Sequence, residues 1–177
     1  MVSLVALFWL LVALFAVIGA MRGWSKELLV TSALVLGLFL NAILESYVGP
    51  YRDAVASAQP MTRFLVLGGL LVGLSFFGYQ SPNLPQLQPK VVRERLEEML
   101  LGFVLGGLNG YLLIGSLWFY LDKAGYPLNL VLRPEEGSAL ANQIQSMVQF
   151  MPPAVLPIPY VYFAVGIVFV LVIVVFV

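Results

Sequence analysis

Apolar positions dominate the chain in long unbroken runs, and the short polar breaks between them mark where helices end. Residues 1–21 carry no charged side chain, and neither do residues 28–44. Between them lies a compact connector, Gly19-Ala20-Met21-Arg22-Gly23-Trp24-Ser25-Lys26-Glu27. A helical hairpin that leaves and re-enters a bilayer here would place these charges at the membrane surface. Crossing the hydrocarbon core takes roughly 20 apolar residues of helix, and five segments meet that need: 2–20, 28–44, 61–79, 99–121 and 154–177. Residues 45–60, with Glu45, Gly49-Pro50, Arg52, Asp53 and Pro60, read as a linker. Three prolines within residues 81–89 favour an extended connection.

Two further segments read as amphipathic helices at the interface. Residues 90–98 place Val92 and Leu96 on one stripe with Met99 and Leu100, and are expected to continue into the fourth span. In the long connection 122–153, Ser138 is a candidate N-cap for a surface-lying helix with Leu140, Ile144, Met147 and Met151 at helical spacing. The fold class expected is an all-α integral membrane protein with about five transmembrane helices and one or two interfacial ones. Residues 1–153 would form a four-span membrane domain, and 154–177 an additional C-terminal transmembrane helix. Lys and Arg favour the side holding the first connector by five to four, which orients that connector to the cytoplasm.

Composition agrees with the pattern and removes several kinds of chemistry. Of 177 residues, 61% are hydrophobic and 10% charged, against about 25% charged in ordinary soluble domains; mean hydropathy is +0.98. Nine basic and nine acidic residues cancel, so no basic surface for nucleic acid is expected. With neither Cys nor His in the sequence, thiolate metal sites, histidine-ligated haem and Cys–His catalysis are excluded. Ser25, Ser75, Ser116 and Ser138 therefore have no histidine to activate them. The reading is a non-enzyme without metal or cofactor, in contact with the lipid bilayer and with other membrane proteins or copies of itself.

Three sets of residues are candidates for function or assembly. Arg22 and Glu27 are either a functional charge pair or headgroup anchors, with Trp24 suited to the interface. Gly102, Gly106 and Gly110, Gly69 and Gly73, and Gly19 and Gly23 each repeat every four residues. Such strips let helix backbones approach, within one chain or between chains. Asn41 and Asn109 lie deep in spans, where an amide needs a partner or water. They would be interhelical glue or line a polar path. No Asp, Glu, Lys or Arg is expected at the centre of any span, which disfavours a proton-coupled pump.

The connector Gly19-x-x-Arg22-Gly23-Trp24-x-x-Glu27-Leu28-Leu29 resembles the opening hairpin of the colicin V production (CvpA-type) family. The stretch Leu101-Gly102-Phe103-Val104-Leu105-Gly106-Gly107-Leu108-Asn109-Gly110-Tyr111 is similar to that family's second glycine-rich helix, which often has Arg where this chain has Asn109. The resemblance covers residues 1–153. It implies a small multi-pass protein of a bacterial inner membrane, linked to toxin production, export and envelope physiology, with no established reaction. Two alternatives stand beside it: an accessory subunit of a larger respiratory or photosynthetic membrane complex, and a passive channel or transporter.

Overall fold

The computed structural model describes residues 4–80, 95–128 and 137–176. The proline-rich stretch 81–89, the first part of the expected amphipathic helix at 90–94, and residues 129–136 lie outside the described residues. Within them the chain is all-helical, with eight helices: α1 (Leu4–Arg22), α2 (Trp24–Tyr47), α3 (Gly49–Ser57), α4 (Pro60–Tyr79), α5 (Arg95–Lys123), α6 (Ala139–Val148), α7 (Pro152–Val155) and α8 (Tyr160–Phe176). Four of them, α1, α2, α4 and α5, are long and apolar enough to cross a membrane. This is the build of a multi-pass helical membrane protein.

Gly23 alone joins α1 to α2. Its φ of 89° lies where only glycine is comfortable, so the chain reverses within one residue. Despite that short joint, the broadest packing surface of α1 is α5, while α2 sits centrally against α4, α5 and α8. Leu34, Leu67 and Leu71 are wholly buried there, in a cluster that takes in Val30, Leu38, Leu112 and Val161. In lipid such side chains trade one apolar neighbourhood for another, so close packing and interhelical hydrogen bonds must hold the bundle.

The helix ends fall into two groups at opposite ends of the bundle. The α1–α2 joint, the end of α4 and the start of α5 meet at one, where Arg22 reaches the Tyr79 carbonyl and Gly23 abuts Glu98. The end of α2, the start of α4 and the end of α5 lie at the other.

Three expectations need correction. Residues 45–60 are not a simple linker: α3 fills most of them, with Pro50 in its first turn, where a missing N–H costs nothing, and Val55 buried. The final segment is not one helix from residue 154. Ala154 belongs to the short α7, and Pro157 and Pro159 break the chain before α8 starts at Tyr160. With 17 residues, α8 is about 26 Å long. A helix does form where one was expected, over Ala139–Val148 with Met151 beyond its end, capped by Ser138, whose hydroxyl accepts the Ala141 N–H at 3.1 Å. It is tied into the bundle, however, because Ile144, Val148 and Met151 pack with Phe8 and Trp118.

Candidate functional site: a buried ion pair between three helices

Arg22 is the last residue of α1 and Glu27 lies in the first turn of α2, so the tight Gly23 joint brings them side by side. Arg22 Nε lies 2.8 Å from Glu27 Oε1. The arginine faces the negative end of α1 and the glutamate the positive end of α2, so both helix dipoles favour the charges they meet. The arginine also donates from Nη2 to the Tyr79 carbonyl at 3.3 Å, and its guanidinium lies 4.5 Å from the centre of the Tyr79 ring. Three helices thus grip one side chain.

Of the two roles expected for Glu27, charge pair or headgroup anchor, the anchor does not suit a side chain with no exposed surface. A carboxylate withdrawn from water needs hydrogen bonds as well as a counter-charge. Asn109 supplies one from α5, donating from Nδ2 to Glu27 Oε2 at 2.8 Å, and the same amide also donates to the Glu27 backbone carbonyl at 3.0 Å. The Asn109 amide oxygen accepts from the Thr31 hydroxyl at 2.7 Å. Asn109 is itself fully buried.

The glycine contact beside this node explains how Asn109 reaches so far. A Cβ at Gly19 would collide with the Gly102 carbonyl and lie 2.6 Å from the Gly106 Cα. A Cβ at Gly106 would strike the Phe15 carbonyl, and one at Gly110 would come within 2.8 Å of the Phe15 Cβ. Only bare backbone lets α1 and α5 lie this close, and Asn109 sits between the last two of these glycines. Outside the node, a groove of about 530 Å³ runs between α1 and α5 with Arg22, Arg95 and Glu98 at its polar edge.

Gly19, Arg22, Gly23, Glu27, Gly102, Gly106, Asn109 and Gly110 therefore form one structure. Trp24 adjoins it and packs in the cluster of Leu28, Val175 and Phe176, so it also ties in the end of α8. Gly69 and Gly73 do not join: a Cβ at either meets nothing within 4 Å, so of the two expected uses of this strip, packing within the chain is not made here and contact between chains is left open. The close approaches of α4 are made at Gly78, against Val30 and Ala33, and at Gly68, against Leu117. Asn41 stands apart, 14 residues or about 21 Å along α2 from Glu27. Its Nδ2 donates to the Leu67 carbonyl and to the Tyr120 hydroxyl, both at 3.1 Å.

Sequence reading missed Thr31, Tyr79 and Tyr120. Thr31 had a signal, since it follows Glu27 by four residues and so shares its helix face. Tyr79 and Tyr120 come from distant helices and had none. Among the described residues no three acidic side chains converge as a metal site would require.

No family model, curated protein or solved structure matches the chain. The fold and the node define a class, a multi-pass helical membrane protein whose first hairpin is locked to a glycine-rich helix by a buried ion pair.

Proposed function

We propose that this protein is a non-enzymatic multi-pass component of a bacterial cytoplasmic membrane, of the colicin V production type, which serves export or envelope physiology by holding other membrane proteins. The observation that carries the reading is convergence. The two stretches on which the resemblance rests, the connector from Gly19 to Glu27 and the helix segment from Gly102 to Gly110, meet in one buried node. Its charges are consumed in holding helices together, as suits a scaffold. The free strip of Gly69 and Gly73, flanked by the exposed Phe76 and Phe77, offers a partner face that the chain itself leaves open.

The test is complementation of a deletion strain, with membrane level and melting temperature of each variant measured in parallel. Gly69→Leu/Gly73→Leu should accumulate and melt normally yet fail to complement or to cross-link to its membrane partners. Arg22→Gln/Glu27→Gln should fail as well. Full rescue by both double variants would overturn the proposal.

A second reading, an accessory subunit of a larger complex, draws on α8. That helix packs along α2 and turns Phe163, Ile167, Phe169 and Val174 outward. Gentle extraction and intact-mass measurement separate the two, since a homo-oligomer alone counts against a subunit. The passive-path alternative draws no support from the amides: Asn109 of α5 is bonded to Glu27, and Asn41, about 21 Å along α2 from Glu27, is bonded to the Leu67 carbonyl and the Tyr120 hydroxyl.

A further inference from the structure

At the end of the bundle opposite the ion pair, the Asn41 amide oxygen is a buried acceptor with no donor among the described residues, and the Tyr51 hydroxyl near Glu45 is likewise unpartnered. The Asn41 side chain is 2% exposed, and its carbonyl oxygen is unpartnered. The amide cannot turn to cure this. Its Nδ2 is held by the Leu67 carbonyl, which would repel the oxygen if the two exchanged places. Leaving such a group unpaired costs about 1–3 kcal/mol, unless something fills the gap.

Asn41 forms part of the wall of a cavity of about 170 Å³ between α2, α5 and the chain that follows α7. A single water needs on the order of 10–15 Å³, so a group of several heavy atoms fits. Glu45, one turn beyond Asn41, and Tyr120 bring a carboxylate and a phenol to the same space. Lys123 stands at the rim with its ammonium 5.2 Å from the centre of the Phe119 ring. Leu156 and Ile158, half-buried against the core, add apolar surface to its wall. The cavity therefore combines a buried acceptor at Asn41, a half-buried carboxylate at Glu45, an exposed ammonium at Lys123 and apolar wall.

Its depth matters as much as its chemistry. Glu45 is in the last turn of α2 and Lys123 ends α5, so the opening lies where both spans leave the apolar layer. A lipid headgroup occupies that level. We propose that the cavity seats the phosphoethanolamine headgroup of a bilayer lipid, with its ammonium directed to Glu45 and Asn41 and its phosphate to Lys123. A primary ammonium has three N–H donors for these acceptors. A trimethylammonium headgroup has none and is bulkier. The phosphate pairs with the lysine as a charge-assisted contact.

The test uses the full chain, stripped of lipid in mild detergent and titrated with equal amounts of phosphatidylethanolamine and phosphatidylcholine of matched acyl chains, read by intact-complex mass. Wild type should prefer the ethanolamine lipid by about tenfold. Glu45→Gln and Lys123→Gln, neither of which touches the ion-pair node, should each bring the preference to within about twofold while melting as wild type does. Equal binding of the two lipids by wild type would overturn the proposal and leave water as the occupant. Preference surviving both substitutions would overturn it too. Soluble phosphoethanolamine binding without any lipid preference would refute the lipid source.

Discussion

Glu27 shows what one carboxylate requires when a helix carries it into a bundle. Arg22 neutralises it, Asn109 fills its second oxygen, and Thr31 fixes the asparagine's amide. Breaking a buried pair by removing one member costs about 3–5 kcal/mol, because the survivor keeps its desolvation without its partner. Arg22→Ala should therefore lower stability by roughly 3 kcal/mol, read by thermal melting in detergent. Glu27→Gln, which keeps the shape and removes the charge, should cost less. Glycine positions should divide as sharply. Gly106→Val drives a side chain into the α1 backbone and should destabilise by about 2 kcal/mol or more, whereas Gly73→Ala meets open space and should leave the melt of the isolated protein unchanged. Beyond α5, Tyr126 gives a pH signature. Burial above all pushes its phenol up to about 12 from an ordinary 10.0; the Trp118 indole, donating at 3.3 Å, pulls it down, and Asp122 pushes it up. The unfolded chain releases this proton near pH 10 and the folded chain only near 12. The contribution is whole below pH 10 and lost as pH rises from 10 to 12. Melting temperature should fall more steeply across that interval in wild type than in Tyr126→Phe.

Among the elements, α6 and α8 test how far capping and packing can be separated. Ser138→Ala removes the only side-chain cap described for α6 and should cost about 1 kcal/mol, seen as faster amide exchange over residues 139–142 with the rest of the bundle unaffected. Removing residues 160–177 should leave α1, α2, α4 and α5 folded. Among them α8 packs extensively only on α2, and a Cβ at its single glycine, Gly166, would meet nothing. Protease-resistant fragments should then keep the Arg22–Glu27 joint, and a truncated chain that fails to insert would refute the separation. The elements were legible in the sequence where period and length coincide, as in the four long apolar helices and the Ser138 cap. They were not legible where short helices have mixed polarity. Residues 49–57 look like a loop because Gly49, Pro50 and Asp53 carry loop signals, yet Pro50 suits a first turn and Val55 finds a buried seat. Glycine strips were half legible. Spacing of four marks a flat face but not which helix will meet it: Gly102 and Gly106 meet α1 within the chain, while Gly69 and Gly73 meet nothing there. Gly37, Gly78 and Gly115 make close contacts without any strip to announce them.

At the scale of the whole molecule, the sequence made the membrane evident from the apolar runs but hid the interior placement of Glu27. A charge four residues into a helix looks like a surface anchor until the neighbouring helices are in place. The bundle is asymmetric, since one end is closed by charge and glycine and the other by Asn41, Tyr120 and a small cavity. That asymmetry sets an order on biogenesis. Glu27 and Asn109 are 82 residues apart in the chain. At about 5–20 residues per second, a ribosome takes on the order of ten seconds to deliver the asparagine after the glutamate. Throughout that interval the newly made hairpin holds a half-satisfied acid that lipid tolerates poorly and water or an insertase must shelter. Nascent chains arrested before α5 emerges should remain cross-linkable to the insertion machinery and fall to membrane proteases, while chains arrested after it should be released. The ion pair would then act as a checkpoint during synthesis as well as a tether in the finished bundle.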